Sequence, residues 1–179
     1  MNDNQVLAIV IAILNAGLPT IGIPGVTVLQ NYQPRIQGVP TTPVVYLHKI
    51  NAPRYGFPGQ SDVYNSSTQL FDHVDSFWRT PSWQVNGLST QDPADTTQLT
   101  ASDIVEGTAD VLQLPSTRTQ LLQNNIGILR ITDVRETYFI DDRDRHEQQP
   151  SFDFTLTYQR MIQSTENPVT CFNLDIDRI

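Results

Sequence analysis

The 179-residue chain has a single cysteine, Cys171. It can form no internal disulfide, and one thiol cannot build a zinc site alone. A reducing, intracellular place of synthesis is the expectation. Positive charge is also scarce. Lys and Arg number 11 against 19 Asp and Glu, the formal net charge is −8, and the sequence pI is about 4.6. Sequence-independent nucleic-acid binding depends on cations that neutralise phosphates, so a chain this acidic is a poor candidate for it. Long apolar runs are missing too. Val6 to Leu14 falls well short of the roughly 20 residues a spanning helix needs. Only Asp3 is charged before it, where a signal peptide requires a basic segment. No Gly-rich phosphate loop, no G-x-G-x-x-G after a strand and no G-x-S-x-G elbow is present. Cys171 has Asn173 and Asp175 near it but no nearby His, so it reads as a half-buried thiol. Internal repeats and low-complexity blocks are absent. A hydrophobic fraction of 39% with 12 Pro suits one domain over 1–179, with a modest core and much ordered loop.

The most legible stretch runs from Ile126 to Arg160. Phe152, Phe154, Leu156 and Tyr158 alternate with Asp153, Thr155, Thr157 and Gln159, the signature of a half-buried strand. Ile126 to Ile140 is rich in β-branched and aromatic residues and also reads as strand. Its phase slips, with Leu129 and Ile131 on one side and Val134, Tyr138 and Ile140 on the other. A bulge near Asp133 would reconcile the two. Between the halves, Asp141 to Pro150 offers no apolar residue but the last. The whole predicts a long antiparallel hairpin with a charged tip that is either solvated or in contact with a partner.

In chain order, Asn2, Asp3 and Asn4 offer N-cap oxygens for a first helix to about Asn15 or Ala16, which Gly17 and Pro19 stop. A helix apolar nearly all round must be covered on more than one side. Its own sheet is one cover and a neighbouring subunit is the other, which makes Val6, Ile9, Val10 and Ile13 candidate interface residues. Val26 to Tyr32 and Val44 to Ile50 predict strands, with an irregular, proline-bearing segment between them. Asn51 to Asn65 predicts a loop with Arg54, Tyr55 and Phe57 as contact residues, and 51–77 as a whole a loop-rich insertion. Thr68 to Val74 and Ser82 to Leu88 predict strands, the second with Trp83, Val85 and Gly87 on one face. Thr100 and Asp103 form a capping box for a helix over Ala101 to Gln113. Pro115 ends it, a helical turn follows over Ser116 to Asn124, and a tail past Arg160 holds one late strand, Val169 to Ile176. The fold class is α+β, an antiparallel-dominated sheet with a long hairpin and two main helices on one face.

Two clusters raise questions of chemistry. Asp141, Asp142, Asp144, His146 and Glu147 could take a divalent cation, and a metal-dependent phosphodiesterase or nuclease using Asp141, Asp142, Asp144 and His146 is one alternative reading. Arg143 and Arg145 stand among these acids and compete for them, and the calcium-loop pattern is not met. The same residues serve better as a polar contact surface. Trp78 and Trp83 bracket Arg79-Thr80-Pro81, and a small binding adaptor could use them as a pair. Core or subunit packing is the commoner use of Trp. His48 and His73 lie in expected strands and read as structural.

Four words in the chain carry a resemblance. They are Pro34-Arg35-Ile36-Gln37-Gly38-Val39-Pro40, then Trp83-Gln84-Val85-Asn86-Gly87, then Tyr138-Phe139-Ile140-Asp141-Asp142 with Pro150-Ser151-Phe152-Asp153-Phe154. With the order of elements, they make the chain resemble the tail terminator and neck proteins of tailed bacteriophages, including those called gateway proteins. The resemblance implies an α+β protomer assembled as a homo-hexameric ring in the virion, made in the bacterial host cytoplasm. Its implied neighbours are a head-completion or collar (adaptor) protein and the tail tube protein, with the sheath as a further candidate. DNA would pass through the channel without sequence-specific contacts. No catalytic residue, metal, cofactor or membrane comes with the resemblance.

Overall fold

The computed structural model describes residues 1–30, 42–54, 56–90, 94–140 and 146–168. The word at 34–40, the tip residues Asp141, Asp142, Arg143, Asp144 and Arg145, Cys171 and the expected late strand lie outside the described residues. In chain order the elements are α1 (Asp3–Gly17), a 3-10 turn (Leu18–Ile21), β1 (Thr27–Gln30), β2 (Val44–Asn51), β3 (Gly59–Asn65), β4 (Leu70–Arg79), β5 (Ser82–Leu88), α2 (Ala101–Gln113), α3 (Pro115–Gln123), β6 (Ile126–Ile131), β7 (Arg135–Ile140) and β8 (His146–Glu166).

β8 is the axis of one sheet. Phe152, Phe154, Leu156 and Tyr158 are buried and the residues between them half-buried, as the alternation predicts. On one edge β5 pairs with Ser151–Thr155 and β4 with Tyr158–Glu166, and on the other β7 and β6 pair with the same strand. β2 lies outside β5, β3 outside β4, and β1 outside β2. Every pairing is antiparallel except β1 with β2. The fold class is therefore α+β with an antiparallel-dominated sheet.

β2 and β3 run beside β5 and β4 as one long hairpin, closed by a turn in which Gln69 has φ 56. The expected loop over Asn51 to Asn65 and the loop-rich insertion over 51–77 are corrected here, because β3 and most of β4 occupy that stretch. β3 is exposed at six of its seven positions. A strand with no buried face leaves no period-two pattern in the sequence. The strand placed at Thr68 to Val74 begins at Leu70 and continues to Arg79. β8 likewise continues past Arg160 to Glu166.

The three helices cover one face of the sheet centre. Asn2 caps α1, its side chain accepting from Gln5 N at 2.9 Å while Gln5 Oε1 accepts from Asn2 N at 2.8 Å. In α2, Thr100 and Asp103 make the expected box, with Asp103 N donating to Thr100 Oγ1 at 3.0 Å. Ile104, Val105, Thr108, Ala109 and Leu112 face the core. α2 lies so close to β5 that a Cβ on Gly87 would stand 2.4 Å from Val105 Cγ2. α1 ends at Gly17, whose backbone stays right-handed, and the chain continues directly into the 3-10 turn, which Gly22 ends at φ 86. Gly17 is also a close approach, its missing Cβ lying 2.5 Å from Val111 Cγ1. Pro115 both ends α2 and opens α3, whose nine residues exceed the single turn expected.

The helical run from Asp3 to Ile21 is long and apolar enough to cross a membrane by length and composition alone. Its apolar character has another use, since Val6, Leu7, Val10, Ile13, Leu14 and Leu18 belong to the protein's own core. The phase slip in the second hairpin falls in two places. The register shifts between Ile128 and Arg130, turning Leu129 out to 65% exposure, and the chain leaves the sheet over 132–134. There Asp153 O accepts from Thr132 N and Asp153 N donates to Thr132 Oγ1, both at 2.9 Å. One expected strand is thus two, β6 and β7.

Candidate assembly surface

Two ribbons extend beyond the helix-covered centre, at opposite ends of β8. At one end β7 pairs with His146–Ser151, and among the described residues no other strand pairs with His146–Pro150. His146 and Glu147 belong to this ladder, opposite Ile140 and Phe139, so the charged tip is shorter than the sequence suggested. At the other end β3, β4 and the last nine residues of β8 form a three-stranded arm. Among the described residues nothing pairs with the outer edge of β3 or with the free edge of β8 beyond Tyr158.

Among the described residues no helix covers the arm, and it is apolar on both faces. Cross-strand partners share a face. The helix side therefore carries Tyr64, Phe71, Phe77 and Ile162, and the opposite side Val63, Val74, Trp78 and Met161. Val63, Tyr64, Trp78, Met161 and Ile162 are all among the exposed large hydrophobics. Tyr64 and Phe71 meet as a tilted ring pair at 5.3 Å. The alternative reading of Trp78 and Trp83 as one binding pair is corrected, and the core packing expected of Trp holds for Trp83. Trp83 is buried against the helices at 1% exposure and Trp78 is 57% exposed on the other face, so the two rings cannot grip one ligand.

Charge on the helix side of the arm is laid out along its length. Toward the far end His73 faces Asp62 through Nδ1 at 2.5 Å and Asp75 through Nε2 at 3.4 Å. The hydrogen bond to Asp62, with the charges of Asp62, Asp75 and Glu166, outweighs desolvation and raises the imidazole pKa above its ordinary value. His73 is thus a strand residue, as expected, held by two carboxylates of its own ladder, and its i, i+2 spacing from Asp75 could have signalled that pairing.

At the arm's base a cleft of about 290 Å³ opens beside the start of α1, lined by Asn2, Asp3, Lys49, Arg54, Arg79, Tyr158 and Arg160 among others. Tyr158 donates to Asp3 Oδ1 at 2.6 Å, and Lys49 pairs with Oδ2 of the same carboxylate. Burial pushes Asp3 up, but the hydrogen bonds from Lys49 and Tyr158 and the charges of Lys49 and Arg160 prevail and hold its pKa below the usual value. Burial and the Asp3 carboxylate push the Tyr158 phenol well above its ordinary value. Arg54, expected as a contact residue, is exposed at this cleft and bridges Arg79 through the backbone. Lys49, Arg79 and Arg160 were not expected there.

Of the helix residues assigned to a neighbour, Val6, Val10 and Ile13 are 0%, 1% and 8% exposed within the protomer. That assignment is corrected for all three, because α1 spends its apolar stripe on its own sheet and helices. Ile9 is half-buried and remains at the surface.

A helix-backed antiparallel sheet with ribbons reaching past its core at both ends defines an α+β protein with unpaired strand edges. The family model of the E217 gateway protein gp29 matches residues 5–167. The chain belongs to that family, a group of bacteriophage gateway or neck proteins, and is a structural component of the virion at the head–tail junction. No curated protein matches the chain in sequence.

Proposed function

We propose that the protein forms a homo-hexameric ring at the head–tail junction that connects the neck to the tail tube or closes the tail, and leaves a channel for DNA. The family match over 5–167 carries this reading. The arm supports it independently. Free strand edges and apolar side chains on both faces are costly for an isolated protomer, and a closed ring of repeated heterologous contacts would cover such surfaces in every copy. The neighbours along the axis are a collar (adaptor) protein on the head side and the tube protein on the tail side, joined by the sheath where the tail contracts. Synthesis is in the host cytoplasm, and one domain spans 1–179. A net charge of −8 suits a channel wall that DNA passes without sticking.

The test is reconstruction of the junction in intact particles. Six copies of this chain in one ring are expected; another copy number, or the chain absent from the junction, rejects the reading. The protein has no catalytic role in it. DNA incubated with the purified protein and magnesium or manganese should stay intact. Cleavage that disappears on Asp141→Ala with Asp144→Ala would replace this reading with the phosphodiesterase one.

A further inference from the structure

The cleft and the arm are complementary in charge and cannot meet within one copy. Lys49, Arg54, Arg79 and Arg160 put four cations around the single carboxylate of Asp3, in a chain that is acidic overall. Only Lys49 among them has a carboxylate partner among the described residues. The arm's far half carries the opposite sign. Asp62, Asp75 and Glu166 lie on its helix side around His73, and Asp72 on its reverse. From Arg79 to Phe71 the strand advances roughly 26 Å at ~3.3 Å per residue. A continuous ladder with β8 holds the arm extended over that length, so its acids cannot fold back into their own cleft. A second copy can bring them there.

The geometry points to a head-to-tail contact in which the acidic outer half of one copy's arm seats against the Lys49–Arg54–Arg79–Arg160 cleft of the next. The contact is heterologous, with different patches on the two copies, and so repeats around a closed ring. The apolar residues beside the charges, Tyr64, Phe71 and Ile162 on the arm, are covered as the acids dock. Burial then supplies affinity while charge sets register and partner. The occupant is this chain rather than nucleic acid because the same chain carries the complementary acids, Asp62, Asp75 and Glu166, on a surface whose apolar residues need cover. This inference rests on the ring reading above.

The experiment is charge reversal in a phage lacking the native protein, complemented with variants. One variant reverses the cleft, Arg54→Glu with Arg160→Glu. A second reverses the arm, Asp62→Lys with Glu166→Lys, and leaves Asp75 beside His73. A third combines them. Arg54→Glu and Glu166→Lys, alone and together, are the milder set in case the doubles fold poorly, and melting curves certify each protein. Each reversal is expected to cut tailed particles by about tenfold or more, and the combination to recover most of them. Full particle counts from a folded, reversed variant would overturn the contact while leaving the ring reading standing. Loss that the combination does not restore would also overturn it, and loss of short-duplex DNA binding by the cleft variant would then assign the cleft to phosphate. Absence of the unvaried protein from the junction would instead sink the ring reading.

Discussion

Replacing Asp3 with Ala removes one carboxylate on which three interactions converge. Tyr158, itself 3% exposed, donates to it at 2.6 Å. A hydrogen bond to a charged acceptor contributes about 1.5–3 kcal/mol. Asp3 also sits in the first turn of α1, where an acid adds about 0.3–1 kcal/mol against the helix dipole. The Lys49 pair is 31% and 42% exposed and counts for about 0–1 kcal/mol. Together these give a loss of about 2–4 kcal/mol, since the terms share one group and do not fully add. For a chain this size that corresponds to a fall in Tm of about 5–15 °C. Asp3→Asn retains an acceptor for Tyr158 and should fall by less. The pH dependence has a definite sign. The folded pKa of Asp3 lies below its ordinary value. Its contribution is therefore present above the unfolded carboxylate value near ~3.9 and disappears as pH falls through the lower folded value. Thermal melts followed by circular dichroism at pH 7, and again below both values, make the test. An Asp3→Ala protein that melts within about 2 °C of the parent at pH 7, or a difference that persists unchanged in acid, would refute this account of the cleft.

Gly87→Ala places a methyl 2.4 Å from Val105 Cγ2 and 3.1 Å from Ala101 O. It should lower the urea midpoint by an amount equivalent to about 1–3 kcal/mol, with the slope unchanged. Phe154→Ala opens a cavity beside Phe152 in the centre of the core and should cost about 3–5 kcal/mol in the same assay. His73 has a raised pKa, so its pairing with Asp62 and Asp75 is complete below the unfolded value near ~6.5 and is lost as pH rises through the folded one. Hydrogen exchange in β3 and β4 should quicken across that window. Asp62→Asn should bring the His73 titration, followed by NMR, down toward ~6.5.

What the sequence disclosed follows from where each segment's side chains go. β8, β5 and α2 were legible because each has one buried face and one that is not, so a period of 2 or 3.6 survives in the residues. Trp83, Val85 and Gly87 fell on one face as expected, and the Thr100–Asp103 box marked the start of α2. α1 misled in the other direction. Ala8, Ala12 and Ala16 are exposed and count as apolar in a sequence while presenting little area to water. The helix looked in need of a second cover, and Val6, Val10 and Ile13 were given to a neighbour when the protomer's own core claims them. The basic cleft was illegible for a simpler reason. Its cations come from β2, the segment after it, the end of β4 and the middle of β8, and only the sheet register gathers them.

The arm was the hardest part to read, and the cause is physical. Its strands bury neither face fully within the protomer. Apolar Val63, Phe71, Val74, Trp78, Met161 and Ile162 are therefore scattered among polar residues with no single phase. Strand patterning records which face meets a core, and a segment that leaves both faces half-open inside one copy carries two weak patterns superposed. Such a pattern is what covering by a second molecule would produce, one face at a time and at different positions along the arm. The charged residues fit the same account. A solvated ribbon gains solubility from mixed signs spread evenly, whereas here Asp62, Asp72 and Glu166 lie toward one end, Asp75 at the middle, and Arg79 and Arg160 at the other end. In the contact proposed between copies, that segregation would give direction, because acid-to-base docking is satisfied head to tail and opposed head to head.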